Sequence, residues 1–397
     1  MSVDEKKTII FTSDGKELSY DDTCIYEGLT CKNIEDIDGY KSAKEYAINV
    51  MREQYSKILS RQFDNIVVLS GAGTSIGIGC GNKKGQSVSG LWEKVVSKIG
   101  KDNLEKFAEA INYEKFNIAN TNLEVFLSKA LISEAYNHQE LVSDGINIIE
   151  SVIREECDLT LPENSPHEIF LKSITSRKLK YSRVKIFTLN YDLLFEQAAS
   201  KGGYVVIDGF SFTVPRVFNG VNFDYDIVIR NNQRSLTEDN YAPKVFHLYK
   251  PHGSLDWEKI NNHVEKNKNP ETPVMIYPSA SKYEASYEQP YFEMISRFQN
   301  ELRKTNTLLL VIGFSFYDKH LDTMITEAMN SNPSLSLMIV DPYANENDCF
   351  NKYRERALKQ NGVSIISEKF EDFVKYYPYS KIYNFSEDIK HYESIQQ

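Results

Sequence analysis

A doubly wound, Rossmann-like α/β fold is what this sequence predicts, with an inserted helical subdomain and small appendages at both ends. Short apolar runs such as Ile66-Val67-Val68-Leu69 and Leu308-Leu309-Leu310-Val311-Ile312 alternate with amphipathic helical patterns. Strands without polar alternation are those covered on both faces of a parallel sheet. Several runs also stop abruptly on polar residues. Phe187 leads into Thr188, Asn190 and Asp192, and Val245–Tyr249 leads into Lys250-Pro251-His252-Gly253-Ser254. Strands that deliver an amide, a carboxylate and an imidazole at their ends build a site at the carboxyl edge of an open sheet.

Taken in order, Thr8-Ile9-Ile10-Phe11 followed by Asp14-Gly15 reads as a strand entering a tight turn, so residues 1–38 form an N-terminal hairpin extension. From Tyr40 to about Gln62, apolar residues recur at three and four and predict an amphipathic helix. The first core strand follows at 66–69. Between about 89 and 179 the apolar pattern is almost wholly helical, which predicts a subdomain or cap inserted between two strands. Strands resume at 184–188, 245–249, 274–277, 308–313 and 335–341, with helices at 192–200, 289–304 and 319–330. These place the main domain at 39–345. Residues 210–243 are polar and aromatic with no clear period and receive no assignment. Helical patterns at 350–358 and 370–377 make 346–397 a C-terminal helical appendage.

The bulk properties narrow the function. With 397 residues, 41% hydrophobic and 12% aromatic, the chain has material for a full-sized core. A net charge of -10 argues against direct nucleic-acid binding, which needs clustered lysine and arginine. No apolar run reaches membrane-spanning length and Met1–Lys7 lacks a signal-peptide core, so the expectation is a cytoplasmic protein without membrane association. The five cysteines, Cys24, Cys31, Cys80, Cys157 and Cys349, are scattered, with no C-x-x-C pair. No metal site is expected, because a structural zinc site draws its ligands from close pairs.

Two glycine turns follow apolar strands. Ser70-Gly71-Ala72-Gly73-Thr74-Ser75 ends the first core strand and Gly313-Phe314-Ser315-Phe316-Tyr317-Asp318 ends a later one. Such turns let backbone amides approach a pyrophosphate, and two of them could hold the two phosphates of one dinucleotide. The first is not the dehydrogenase fingerprint, since the third glycine would fall on Ile76. Asn190 can position a water through its amide, and His252 can act as a base near neutral pH. Asp192 could fix a ribose hydroxyl or the imidazole. The blander readings stay open: Asn190 as a helix cap and His252 as a turn histidine.

Together, G-A-G-T-S, T-L-N-Y-D, P-H-G-S and G-F-S-F-Y-D-K-H-L, in that order over about residues 60–342, resemble the sirtuin family of NAD-consuming enzymes. They are similar in particular to the divergent bacterial sirtuin-like domains that hydrolyse NAD in antiphage defence, as is Asn122-Leu123-Glu124. The resemblance implies that Gly71, Ala72, Gly73 and Thr74 cradle the diphosphate. It also implies that Asn190 and Asp192 reach the nicotinamide-side ribose with His252 beside its hydroxyls. Gly313, Phe314 and Ser315 would contact ADP-ribose, and Asp341 would accept from the adenosine ribose. The zinc ribbon of the protein-deacylating members is missing, and Gly81-Asn82-Lys83-Lys84-Gly85 stands where they carry Asp-Phe-Arg. The resemblance thus implies an NAD glycohydrolase that works with a HerA-type hexameric ATPase. The apolar helical faces of the insert and the appendages, more than one sheet layer needs, predict a homo-oligomer on which that ATPase docks to gate the site. A protein deacylase or ADP-ribosyltransferase, and a non-catalytic NAD or ADP-ribose sensing module, are the alternatives.

Overall fold

The computed structural model describes residues 7–229, 240–277 and 289–379. An antiparallel meander comes first, β1 (Thr8–Ser13), β2 (Lys16–Tyr20), β3 (Cys24–Glu27) and β4 (Thr30–Asn33), then α1 (Ala43–Leu59) and β5 (Asn65–Ser70). The helical block is α2 (Val88–Ile99), α3 (Lys101–Ala110), α4 (Leu123–Asn137) and α5 (Glu140–Cys157). Next come α6 (Pro166–Ile174), β6 (Lys185–Thr188), α7 (Leu194–Gly202), β7 (Val205–Ile207), β8 (Val245–Tyr249), β9 (Gly253–Ile260), β10 (His263–Lys266) and β11 (Pro273–Met275). The chain closes with α8 (Tyr291–Leu302), β12 (Thr307–Ile312), α9 (Lys319–Ser331), β13 (Leu335–Val340), α10 (Asn351–Lys359), β14 (Val363–Ile366) and α11 (Phe370–Tyr376).

The main sheet has eleven strands in the order β4-β3-β2-β1-β14-β13-β12-β5-β6-β8-β7. From β14 to β7 all neighbours are parallel. Alternate residues of these strands enter two separate cores. Val68, Ile186, Leu308, Leu310 and Met338 pack with α1, α6, α7 and α11 on one face. Val67, Leu69, Phe187, Leu309, Val311 and Leu337 pack with α8, α9 and α10 on the other. Burial on both faces is why these strands read as unbroken apolar runs. β5 is central: the chain winds away from it through β6 on one side and returns through β12 on the other, so a switch point lies between β5 and β12.

Four sequence expectations change. The N-terminal hairpin is a four-stranded meander that extends the main sheet, β1 pairing antiparallel with β14. The part of the C-terminal segment that is described, 346–379, is no purely helical appendage, because β14 inserts between β13 and β1; its four residues are too few to stand out between two helical patterns, and 380–397 lie outside the described residues. The predicted strand 274–277 is not a core strand: β11 joins β9 and β10 in a separate antiparallel sheet. The helical insert ends before 179. Trp92, Phe107, Phe126 and Ile149 of α2–α5 share a core of their own, whereas Phe170 and Leu171 of α6 belong to the sheet's core. A Ser165 capping box with Pro166 at the first turn sets the start of α6.

Candidate active site

The loops leaving β5 and β12 cross at the switch point. Gly71 N donates to Ile312 O and Gly73 N to Gly313 O, each at 3.0 Å. A Cβ on Gly73 would lie 2.5 Å from Gly313 Cα, and one on Gly71 would lie 2.5 Å from Gly313 O. Gly313 itself has φ +61°, which a side chain disfavours. These glycines are therefore required first for backbone-to-backbone packing. The Gly71, Gly73 and Thr74 amides all donate to carbonyls of the fold. Thr74 is fully buried, its hydroxyl bonded to Ser70 Oγ at 2.8 Å and Gly71 O at 2.9 Å.

β6 carries Asn190 to the same place. Its Nδ2 lies 3.0 Å from Gly71 O, 3.1 Å from Thr74 Oγ1 and 2.8 Å from Ser75 Oγ. Ser75 Oγ in turn donates to Asp192 Oδ2 at 2.6 Å, while Leu194 N donates to Asp192 Oδ1 at 3.1 Å at the start of α7. A carbonyl can only accept, so Gly71 O fixes which end of the Asn190 amide turns inward. Oδ1 is then its remaining polar atom, an acceptor suited to a water or a ribose hydroxyl. Asp192 is spent on Ser75 and the helix, and burial pushes its carboxyl above the usual range despite Lys250 and Ser75.

His252 follows β8. The carboxylate beside it is Asp318, not Asp192: Nε2 and Oδ2 are 3.4 Å apart. Beneath the loop, buried Lys250 donates to Asp192 O at 2.6 Å, Ser254 Oγ at 2.8 Å and Tyr191 O at 3.2 Å, and pairs with Glu196 at 3.2 Å. Ser254 passes the line to Asp256 at 2.6 Å, Asp256 to Lys266 at 3.1 Å, Lys266 to Asp208 at 3.0 Å and Asp208 to Arg216 at 2.8 Å. Charges alternate along this line, so no buried ion lacks a counterion within it. Burial works to raise the Asp256 carboxyl, but Lys266 and Lys250 hold it below its usual range.

These elements enclose a cleft of about 340 Å³. Gly71, Ala72, Ser75, Asn190, Asp192, His252, Gly313, Phe314, Ser315 and Asp318 line it from the sheet, and Asn122, Glu124, Glu156 and Cys157 from the helical block. Gly73, Thr74 and Asp341 are not among the lining residues; Asp341 ends β13, its Oδ1 accepting Tyr343 N at 2.9 Å. Asn122 caps α4 by accepting from Glu124 N at 2.8 Å. Among the described lining residues there are four carboxylates, Glu124, Glu156, Asp192 and Asp318, one histidine, and no lysine or arginine. Burial, then the Asp192 and Glu156 charges, push the Cys157 thiol up to about 12, which leaves it a poor nucleophile. A cavity of about 370 Å³ at the opposite, amino-terminal edge of β6 and β8 is lined by lysines instead. Lys244 there donates to Gly202 O at 2.9 Å, the role expected of a cation at a helix C-terminus.

Sequence reasoning placed Asn190 and His252 in this cleft. It assigned no role to Ser75, Asp318 or Lys250, although Ser75 and Asp318 stand inside the two glycine turns it singled out. Among the described residues no group of three or more His, Cys, Asp or Glu side chains is arranged to hold a metal. No described helix is long and apolar enough to cross a membrane.

An open α/β sheet with a cleft at its carboxyl edge defines a Rossmann-like protein, and part of the chain is similar to a known family. Residues 184–366, from the start of β6 to the end of β14, match the family model described as a SIR2-like domain. That stretch contains Asn190, Asp192, His252, Gly313 and Asp318. A solved structure described as "Structural Basis for the Mechanism and Regulation of Sir2 Enzymes" is similar with a TM-score of 0.39 and 13% identity, covering 81% of this chain and 94% of that one. No curated protein matches the chain.

Proposed function

We propose that the protein is a sirtuin-type, NAD-dependent enzyme that hydrolyses the nicotinamide–ribose bond, yielding nicotinamide and ADP-ribose. The observation that carries this reading is the pairing of the Asn190 acceptor with His252 in a cleft lined by carboxylates. Rupture of that bond leaves positive charge on the ribose C1′, and carboxylates near a developing cation favour the transition state over the ground state. Nicotinamide departs with the bonding pair, and a water attacks C1′. Asn190 Oδ1 holds that water by accepting one hydrogen, and His252 takes the proton it loses. With the Gly71 and Gly73 amides engaged inside the fold, diphosphate contacts fall to Ala72, Phe314 and Ser315 at the cleft wall. Asp341, outside the lining, is assigned to the adenosine ribose only by the sirtuin resemblance.

The same resemblance supports an antiphage effector acting as a homo-oligomer with a HerA-type hexameric ATPase. Exposed apolar side chains on the helical block, Val125, Ile132, Tyr136 and Leu141, are consistent with such assembly. The test is free nicotinamide released from NAD by the purified protein, with and without the ATPase. Stoichiometric nicotinamide and ADP-ribose support hydrolysis. Nicotinamide formed only with an acylated lysine peptide, or ADP-ribose transferred to protein, would replace the reading with deacylation or ADP-ribosylation.

A further inference from the structure

His252 and Asp318 reach each other from opposite lips of the cleft. One follows β8 and the other follows β12, strands separated in the sheet by β5 and β6. Asp318 is not free to turn away, because its Oδ1 accepts from His320 N at 3.1 Å and Leu321 N at 3.3 Å, capping α9. The helix amides favour the ionised carboxylate and leave Oδ2 aimed at the imidazole. The side chains are only 12% and 13% exposed, so water screens their 3.4 Å separation weakly. Lys250, two residues before His252, is answered by Glu196 at 3.2 Å.

We propose that Asp318 is the positioning residue of His252. Its carboxylate holds the imidazole across the cleft and engages one ring N–H, which leaves the other ring nitrogen as the proton acceptor. The inference rests on the NAD-cleaving reading for its chemical consequence, but the pairing exists without it. Asp318 thus does two jobs with two oxygens, one for the helix and one for the base.

Among the described residues, the other ionisable side chains lining the cleft are Tyr191 and Asp192 after β6, Glu124 on α4, Glu156 and Cys157 on α5, and Tyr317 beside Asp318. All remain in Asp318→Asn, and asparagine caps a helix about as well as aspartate, so this variant removes the charge and keeps the cap. The measurement is the NMR titration of the His252 ring in ligand-free protein, assigned against His252→Gln. Removing an opposite charge at this range should lower the imidazole pKa by about one unit or more. The acid limb of the pH profile of kcat/KM should move by the same amount. A fall of less than about half a unit in the titration overturns the proposal, whatever the rates do. If no NAD cleavage is found in any form, the function reading fails while the titration still decides the pairing. Should Asp318→Asn not fold, Asp318→Ser, a cap of similar strength, takes its place in the same titration.

Discussion

Replacing His167 with phenylalanine should make this protein more resistant to acid. The ring is fully buried in α6, edge-on to Phe195 at 4.8 Å and Phe370 at 5.2 Å, and neither ring nitrogen has a hydrogen-bond partner among the described residues. Burial lowers its pKa from 6.5 to about 3. The folded protein therefore keeps the ring neutral, whereas the unfolded chain protonates it near pH 6.5. A depressed folded-state pKa means that the associated stability is present above about pH 6.5 and is lost as pH falls towards 3. At pH 5, protonation of this one site favours the unfolded chain by about 2 kcal/mol. Phenylalanine has a similar shape, suits the aromatic surroundings and leaves no unpaired nitrogen. Urea unfolding at pH 7.5 and pH 5.0 tests this. Wild type should lose about 2 kcal/mol more than His167→Phe between the two conditions. Equal losses would refute the neutral buried histidine. The result also bears on the proposed catalysis, because a loss of rate in acid that arises in the cleft must be separated from one that arises through unfolding. The stabilised variant provides that separation.

Asn190→Ala and His252→Ala should each reduce nicotinamide release by about a hundredfold or more while the protein still unfolds cooperatively; wild-type turnover in either would remove that residue from the mechanism. Gly73→Ala sets a methyl 2.5 Å from Gly313 Cα. It should cost about 1–3 kcal/mol of stability, read by urea unfolding, and weaken NAD binding as the two loops separate. Exhaustive chelation should leave activity unchanged, and stoichiometric zinc in elemental analysis of the purified protein would contradict this.

Much of the fold was legible because the parallel strands are covered on both faces. β5, β8, β12 and β13 appear in the sequence as apolar runs of the right length, and the helices between them keep their periodicity. β7, β9, β10 and β14 escaped notice for a different reason. β7 and β14 are three and four residues long. β9, by contrast, carries Asp256, Glu258 and Lys259, whose place in a strand is decided by pairing with β10 and β11 rather than by any local apolar pattern. Short or charged segments become strands only when a neighbour supplies the ladder, and that neighbour is not a local property of the sequence.

The site was legible where a strand ends and not where two ends meet. Asn190 and His252 stand out because each interrupts an apolar run. Ser75 carries no such mark, since serine after a glycine turn is common, and its importance comes from partners 115 and 117 residues away, Asn190 and Asp192. Asp318 looks like an ordinary helix cap, and it is one; its second oxygen acquires meaning only when β8 brings His252 to the same cleft. Lys250 is the plainest case. A lysine before Pro251-His252 reads as a solvated loop residue, yet it is 2% exposed and binds the carbonyls of Tyr191 and Asp192. It thereby ties the strand end that carries Asn190 to the loop that carries His252. A buried ammonium is stable there only because Glu196, and through Ser254 the Asp256–Lys266–Asp208–Arg216 line, balances its charge. Asn190 and His252 thus face one cleft from strand ends that are joined through a charge line reaching into the small antiparallel sheet.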